Sequence, residues 1–424
     1  MKLGQVFDPR RNALNALRLV LAAEVMLFHS WPITGHMPPK SILQLFFSVG
    51  VDGFFAISGF LITRSWLSDP RLRDYLTARA LRILPGFYIC LIVTAFVFAP
   101  LSVVIQGGSP AKLLGSAAPL EYVLKNSAIV YLQPSIDGTL HGVPGGNAWN
   151  GSMWSLIWEL LCYLVVAAIG VVGLGNRRWI SPLILVLATL GALVVPPLTF
   201  PGVWTIPQLA VRSAIMFSAG AVMYQWRDVI PARWSLVAVA LAIVAAAGFL
   251  PDYRVVGALP LAYAVIVTGS LLKSERLVLR TDLSYGVYIY AFPTQQLLAV
   301  CGLATRLHPA LFFLASVAAT LPLAYAIIVS GALLRNRRLR LATDLSYGVY
   351  IYAFPVQQLL AVCGLARLPV AVFFLTALAA TLPLAAASWW LIEKPSMALK
   401  RRLRRKWSAA TTAERGHPAT TAAR

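Results

Sequence analysis

Unbroken apolar runs, each about 18 to 24 residues long, recur from one end of this chain to the other. Wound as an α-helix at about 1.5 Å per residue, such a run spans about 30 Å, the thickness of a bilayer's hydrocarbon core. Composition agrees: 59% of the 424 residues are apolar and 12% are charged. A soluble domain carries about twice that charged share. A soluble fold could not hide so much apolar surface. The runs therefore exclude a soluble enzyme, a disordered chain and a disulfide-rich secreted module. The expected fold class is all-α, a polytopic transmembrane helical bundle.

Twelve candidate spans cover roughly 13–30, 42–63, 83–105, 153–174, 179–197, 206–225, 234–250, 255–272, 284–304, 310–334, 346–365 and 369–392. The net charge is +21, from 36 basic and 15 acidic residues. In a soluble protein that excess would point to nucleic acid. Here it follows the topology. With the N-terminus in the cytoplasm, 28 of the 36 basic residues fall in cytoplasmic segments. Six lie in external loops (Lys40, Lys112, Lys125, Arg254, Arg306, Arg367) and two in spans (Arg18, Arg212). This bias puts both termini inside, and no nucleic-acid partner is expected. The first apolar run is followed by further spans, so it reads as a retained helix. Cys90, Cys162, Cys301 and Cys363 all sit in apolar runs without CxxC spacing, which gives no pattern for a disulfide framework or a zinc site.

Residues 106–152 form the one long external loop, rich in Gly, Pro and Ser, with a short helix expected near 118–132. The Ala/Thr-rich segment 407–424 reads as a disordered cytoplasmic tail, leaving 1–406 as one transmembrane domain. Within it lies a tandem repeat. TDLSYGVYIYAFPTQQLLAVCGL (281–303) recurs at 343–365, differing only at Thr294 against Val356. The same offset links AYAVIVTGSLL (262–272) to AYAIIVSGALL (324–334), giving units of about 262–323 and 324–385. Each unit holds two spans, so the chain reads as about ten spans plus a two-span duplication. Transporter repeats are usually inverted and weak. This one is direct and nearly identical, the mark of a recent duplication or of an artefact of sequence assembly, and not of an architectural principle.

Ionisable groups inside spans are costly and mark function by default. Six stand out: Arg18, Glu24, His29, Asp52, Glu159 and Arg212. Arg18 and His29 share the first helix. Their separation is close to three turns, which puts both on one side with an axial rise of about 16 Å. Arg18 alone reads either as a snorkelling anchor or as a cation for phosphates. His29 reads either as an interhelical hydrogen bond or as a general base. Glu159, in a span running inward, either orients His29 or pairs with Arg212. Asp52, between Gly50 and Gly53, is an alternative partner for His29 or a polar packing contact. Glu24 reads as a structural contact.

These residues carry a resemblance. LNALRLVLAAEVMLFHSWPI (14–33) resembles the opening of the acyltransferase family 3 membrane proteins, whose hallmark is a basic residue, ten intervening residues and a His, matched by Arg18 and His29. VGVDGFFAISGFLITR (49–64) resembles the family's second span, and RALRILPGF carries its RxxR element at Arg79 and Arg82. NGSMWSLIWELLCYL (150–164), SYGVYIYAFP and LIEKP (391–395) are similar to later segments, in the same order. Where the family often has a His after the Tyr pair, this chain has Ala291 and Ala353.

The resemblance implies an O-acyltransferase that moves an acyl group, usually acetyl, from acyl-CoA to a hydroxyl. The implied acceptor is an extracytoplasmic carbohydrate or lipid-linked glycan, at a bacterial inner membrane and among its lipids. It implies that His29 activates the transfer and that Arg18, Arg79 and Arg82 hold the CoA phosphates; span position, not the resemblance, offers Glu159 or Asp52 as the partner of His29. Acetyl-CoA would be a co-substrate, with no bound cofactor and no metal. Physics supports the phosphate role: arginines at the cytoplasmic face meet CoA where it is available, and suit bidentate phosphate contacts. Two other readings compete. A secondary transporter or polysaccharide exporter would show broken helices at matching positions in two halves. An inactive family member, disabled by its duplication, would fold without turnover.

Overall fold

Helices account for the secondary structure of the described residues, which are 1–38, 40–143, 148–273 and 284–333 with Thr376, Ala379 and Ala380, in the computed structural model. Ten long helices run in order: α1 Leu14–Ile33, α2 Lys40–Ser68, α3 Leu72–Ile105, α4 Trp154–Val171, α5 Ile180–Val194, α6 Ile206–Gln225, α7 Trp234–Ala247, α8 Arg254–Leu271, α9 Ser284–Val300 and α10 Pro309–Leu333. Each overlaps one of the first ten expected spans. Six of them (α1, α2, α3, α4, α6 and α8) are long and apolar enough to cross a membrane by length and composition. Apart from Thr376, Ala379 and Ala380, the expected spans 346–365 and 369–392 lie outside the described residues, as do the second repeat copy at 343–365 and the tail.

Local chemistry sets the helix ends. Thr205 and Gln208 form a reciprocal capping box that starts α6. Helix α3 begins at Leu72, eleven residues before the expected span, because Arg73, Asp74, Arg79 and Arg82 interrupt the apolar run without interrupting the helix. Asp74 sits in its first turn, where a negative charge favours the dipole, and pairs with Arg71 at 3.0 Å. Further along, Pro100 withholds the N–H that would reach the Phe96 carbonyl, and the turn Thr94–Phe98 is π-helical.

Helix α2 is central. Of its apolar window 72% is buried in the protein, against 22% for α4, whose Leu161, Leu164, Val165 and Val171 face outward. The α2–α6 pair is the most extensive among the described helices. Glycines permit it: a Cβ on Gly59 would stand 1.9 Å from the Phe217 carbonyl oxygen, and one on Gly220 1.9 Å from that of Ala56. Backbone can approach backbone here only without side chains. Outside the bundle, the helix expected near 118–132 stops at Asn126. The Asn126 side chain bonds the Tyr122 carbonyl and both backbone groups of Gln133, turning the chain back. Met1–Ser330 form one compact unit, which holds every site residue below.

Candidate active site

Helix α1 places Arg18 near its start and His29 near its end. Arg18 is only 4% exposed, so it is no snorkelling anchor. Its guanidinium donates to Ser58 Oγ on α2 at 3.2 Å, and Ser58 Oγ donates to Glu159 Oε1 on α4 at 2.9 Å. The Tyr163 hydroxyl donates to the same carboxylate oxygen. Arg18, Arg82, Ser58 and Glu159 line one narrow inner cavity of about 40 Å³. Arg79, one turn before Arg82, lies outside this lining and stacks 6.0 Å from the Tyr163 ring centroid. Two arginines, a serine and a carboxylate from four distant stretches of sequence thus converge.

His29 lines a second, larger cavity of about 290 Å³. Its Nδ1 lies 2.7 Å from the Val25 carbonyl oxygen. A carbonyl only accepts, so Nδ1 carries the proton and Nε2 is the basic nitrogen of the neutral ring. Among the described residues His29 makes no other hydrogen bond. The turn that carries it is tied to α9: Gln295 Nε2 donates to the Met26 carbonyl at 2.9 Å and to Ser30 Oγ at 2.7 Å. Aromatic side chains form much of the outer wall. Phe47 and Phe200 stack at 5.1 Å, and Trp204 lies 5.1 Å from Phe47 and 5.4 Å from Trp154.

The two expected partners of His29 lie elsewhere. Both Asp52 oxygens are taken: Oδ1 accepts from Arg212 Nε at 2.8 Å, while Oδ2 accepts from Arg254 Nε at 2.8 Å and the Tyr253 hydroxyl at 2.5 Å. Asp52 is 0% exposed and both arginines 2%. The carboxylate neutralises two buried cations and cannot also orient an imidazole. Arg212 therefore pairs with Asp52 and not with Glu159. Its guanidinium lies between the Phe47 and Trp154 rings, 5.3 and 5.2 Å away, and so backs the aromatic wall. Glu159 belongs to the inner cavity with Arg18 and Arg82. Glu24 packs against Gly50 of α2, where its Oε2 would lie 1.9 Å from an added Cβ.

Three further residues matter that sequence reasoning passed over. Arg254 reads in sequence as an external-loop cation, yet it opens α8 as a fully buried partner of Asp52. Gln295 is a polar residue inside an apolar run, which was a usable signal. Tyr288 lines both cavities, a position that only tertiary structure reveals. Both Gln295 and Tyr288 lie in the first repeat copy, so that copy walls the site.

Comparison with known proteins accords with this geometry. The profile of the acyltransferase domain Acyl_transf_3 matches residues 11–329. The chain belongs to this acyltransferase family. An O-acetyl transferase of Shigella phage Sf6 is 29% identical over 301 residues, 68% of this chain and 85% of the relative. Nodulation protein 10 of Rhizobium leguminosarum bv. viciae is 25% identical over 319 residues, 66% of this chain and 82% of the relative. No solved structure matches. The acyltransferase is an O-acyltransferase and a multi-pass membrane protein, which sets the exporter reading aside. The matched region includes the first repeat copy and ends before the second at 343–365.

Proposed function

We propose that this acyltransferase moves an acyl group, acetyl in the first instance, from acyl-CoA in the cytoplasm to a hydroxyl of an extracytoplasmic carbohydrate. The observation that carries the reading is the pairing of cavities: an arginine-lined inner one and a histidine-bearing outer one meet at Val51 and Tyr288. Arg18 and Arg82 supply fixed positive charge for CoA phosphates, with Arg79 one turn further out. At about 40 Å³ the inner cavity is too narrow for a nucleotide, which stays outside the bundle, and an acyl-pantetheine arm must widen it on entry. Glu159, held by Ser58 and Tyr163, fixes Arg18 through the serine.

The outer cavity suits the acceptor. Aromatic walls with a few polar groups are the usual lining of small-molecule sites, and flat ring faces stack against the C–H faces of sugars. His29 Nε2 takes the proton of the acceptor hydroxyl, and the oxygen attacks the thioester carbonyl. The carbon–sulfur bond breaks, and the proton passes to the departing thiolate. The Val25 carbonyl fixes the tautomer this step needs, the role a carboxylate plays in a triad. The O-acetyl transferase relative supports acetyl as the group moved.

The test compares surface glycans of the native bacterial host, a deletion strain, and the deletion complemented with wild type or His29→Ala at equal membrane expression. Acetyl signals in proton NMR should vanish on deletion and return with wild type. His29→Ala should lower transfer by about 10²- to 10⁴-fold, the usual contribution of a general base. Full restoration by His29→Ala would make His29 a structural residue and end this mechanism.

A further inference from the structure

Tyr288 and Val51 are the two residues common to the walls of both cavities. The Tyr288 hydroxyl lies 3.0 Å from the Ser152 carbonyl oxygen and 2.6 Å from Ser155 Oγ, which itself lies 3.3 Å from the same carbonyl; one hydroxyl donates to the carbonyl and the other to its partner hydroxyl. Ser152 lines the outer cavity and Ser155 the inner one. The tyrosine is thus pinned across the boundary, its ring edge-on to Phe54 at 5.6 Å. Opposite it, Val51 adjoins Asp52, whose two ion pairs fix the register of α2. The two cavities adjoin at this pair, so the direct route from Arg18 and Arg82 to His29 passes it.

We propose that Tyr288 is the gate between the inner and outer cavities, and that its ring limits the length of the acyl group the enzyme accepts. This rests on the acyl-CoA reading above. The hydroxyl and the ring do separable work. The two hydrogen bonds keep the gate shut until donor and acceptor are both in place, which keeps water from the thioester. The ring supplies the bulk that excludes longer acyl chains. With the gate loose, water replaces the acceptor: the acyl carbon–sulfur bond breaks, a carbon–oxygen bond to water forms, and the water's proton ends on the CoA thiol. Tyr288 is a positioning and specificity residue; His29 does the proton transfer.

The experiment uses the full-length purified protein in liposomes and follows thiol release from acetyl-CoA and butyryl-CoA, with and without membranes of the deletion strain as the acceptor source. Wild type should release thiol from acetyl-CoA mainly when those membranes are present. Tyr288→Phe, and more weakly Ser155→Ala, should raise acceptor-independent release by about tenfold, the shift expected from losing two net hydrogen bonds. Both should keep the wild-type preference for acetyl-CoA. Tyr288→Ala should raise the butyryl-to-acetyl ratio by about tenfold as the cavities merge. Tyr290→Phe is the control: its hydroxyl is buried with no hydrogen-bond partner among the described residues and lines neither cavity, so it should behave as wild type. If wild type releases thiol with membranes but the Tyr288 and Ser155 variants keep its leak rate and chain preference, the gate is wrong and the donor reading stands. If wild type releases no thiol from either donor, the acyl-CoA reading falls and takes the gate with it. Should Tyr288→Ala fail to fold, Tyr288→Leu takes its place for the chain preference, while Tyr288→Phe and Ser155→Ala decide the leak.

Discussion

Asp52 shows what a single buried charge does in this protein. Its carboxylate compensates Arg212 and Arg254 within the bundle, with all three side chains withdrawn from water. Removing one member of such a cluster leaves charge without a counter-ion, at a cost of about 3–5 kcal/mol. Asp52→Ala should therefore lower thermal stability in detergent steeply, read as the unfolding midpoint. The fraction that still folds at low temperature should keep measurable acyl transfer, because His29 takes its orientation from Val25. Loss of transfer at unchanged stability would return Asp52 to the chemistry. The sequence marked Asp52, Glu159 and Arg212 as residues worth explaining, since charge inside an apolar run is expensive wherever it falls. It could not assign their partners. Arg254 lies about two hundred residues from Asp52, and nothing local distinguishes a loop cation from one that turns inward. The spacing of Arg18 and His29 was legible because one helix carries both. Their separate cavities were not, because α2, α4 and α9 build the wall between them.

Among the described residues the long helices were legible, for a simple reason: an apolar run in a membrane has no other structure to adopt. The errors fell where charge or side-chain hydrogen bonding intervenes, at the start of α3 and after Asn126. The repeat raised a question that periodicity alone left open, namely which copy serves the site. Helix α9, from the first copy, supplies Tyr288, Phe292 and Gln295 to the cavities and to α1. Deleting residues 325–385 would join the first ATLPLA segment directly to Ala386, keeping Glu393, Lys394 and Pro395. Two spans leave together, so the downstream chain keeps its sidedness. The deletion should keep acyl transfer within about threefold of the parent, measured by glycan acetylation at matched membrane expression. A collapse of activity with intact expression would mean that the second copy serves the site, and that the duplication is functional.

At the scale of the whole molecule, the donor reading depends on sidedness. Arg18, Arg79 and Arg82 can meet CoA only if their ends of α1 and α3 face the cytoplasm, and His29 can meet an external acceptor only from the other side. The uneven distribution of basic residues argues for this orientation. Helix α3 offers a direct check, because it runs unbroken for 34 residues, about 50 Å at 1.5 Å per residue. Arg71 just before it and Lys125 in the loop after it both have exposed side chains, 70% and 55%. In a background with Cys90, Cys162, Cys301 and Cys363 replaced by Ala, Lys125→Cys should react with a membrane-impermeant maleimide added to intact spheroplasts. Arg71→Cys should react only after permeabilisation. Labelling of both from one side would mean that α3 does not cross. The reverse pattern would put the arginine cavity outside, away from cytoplasmic CoA, and the phosphate-binding role would have to be abandoned even if His29 proved essential.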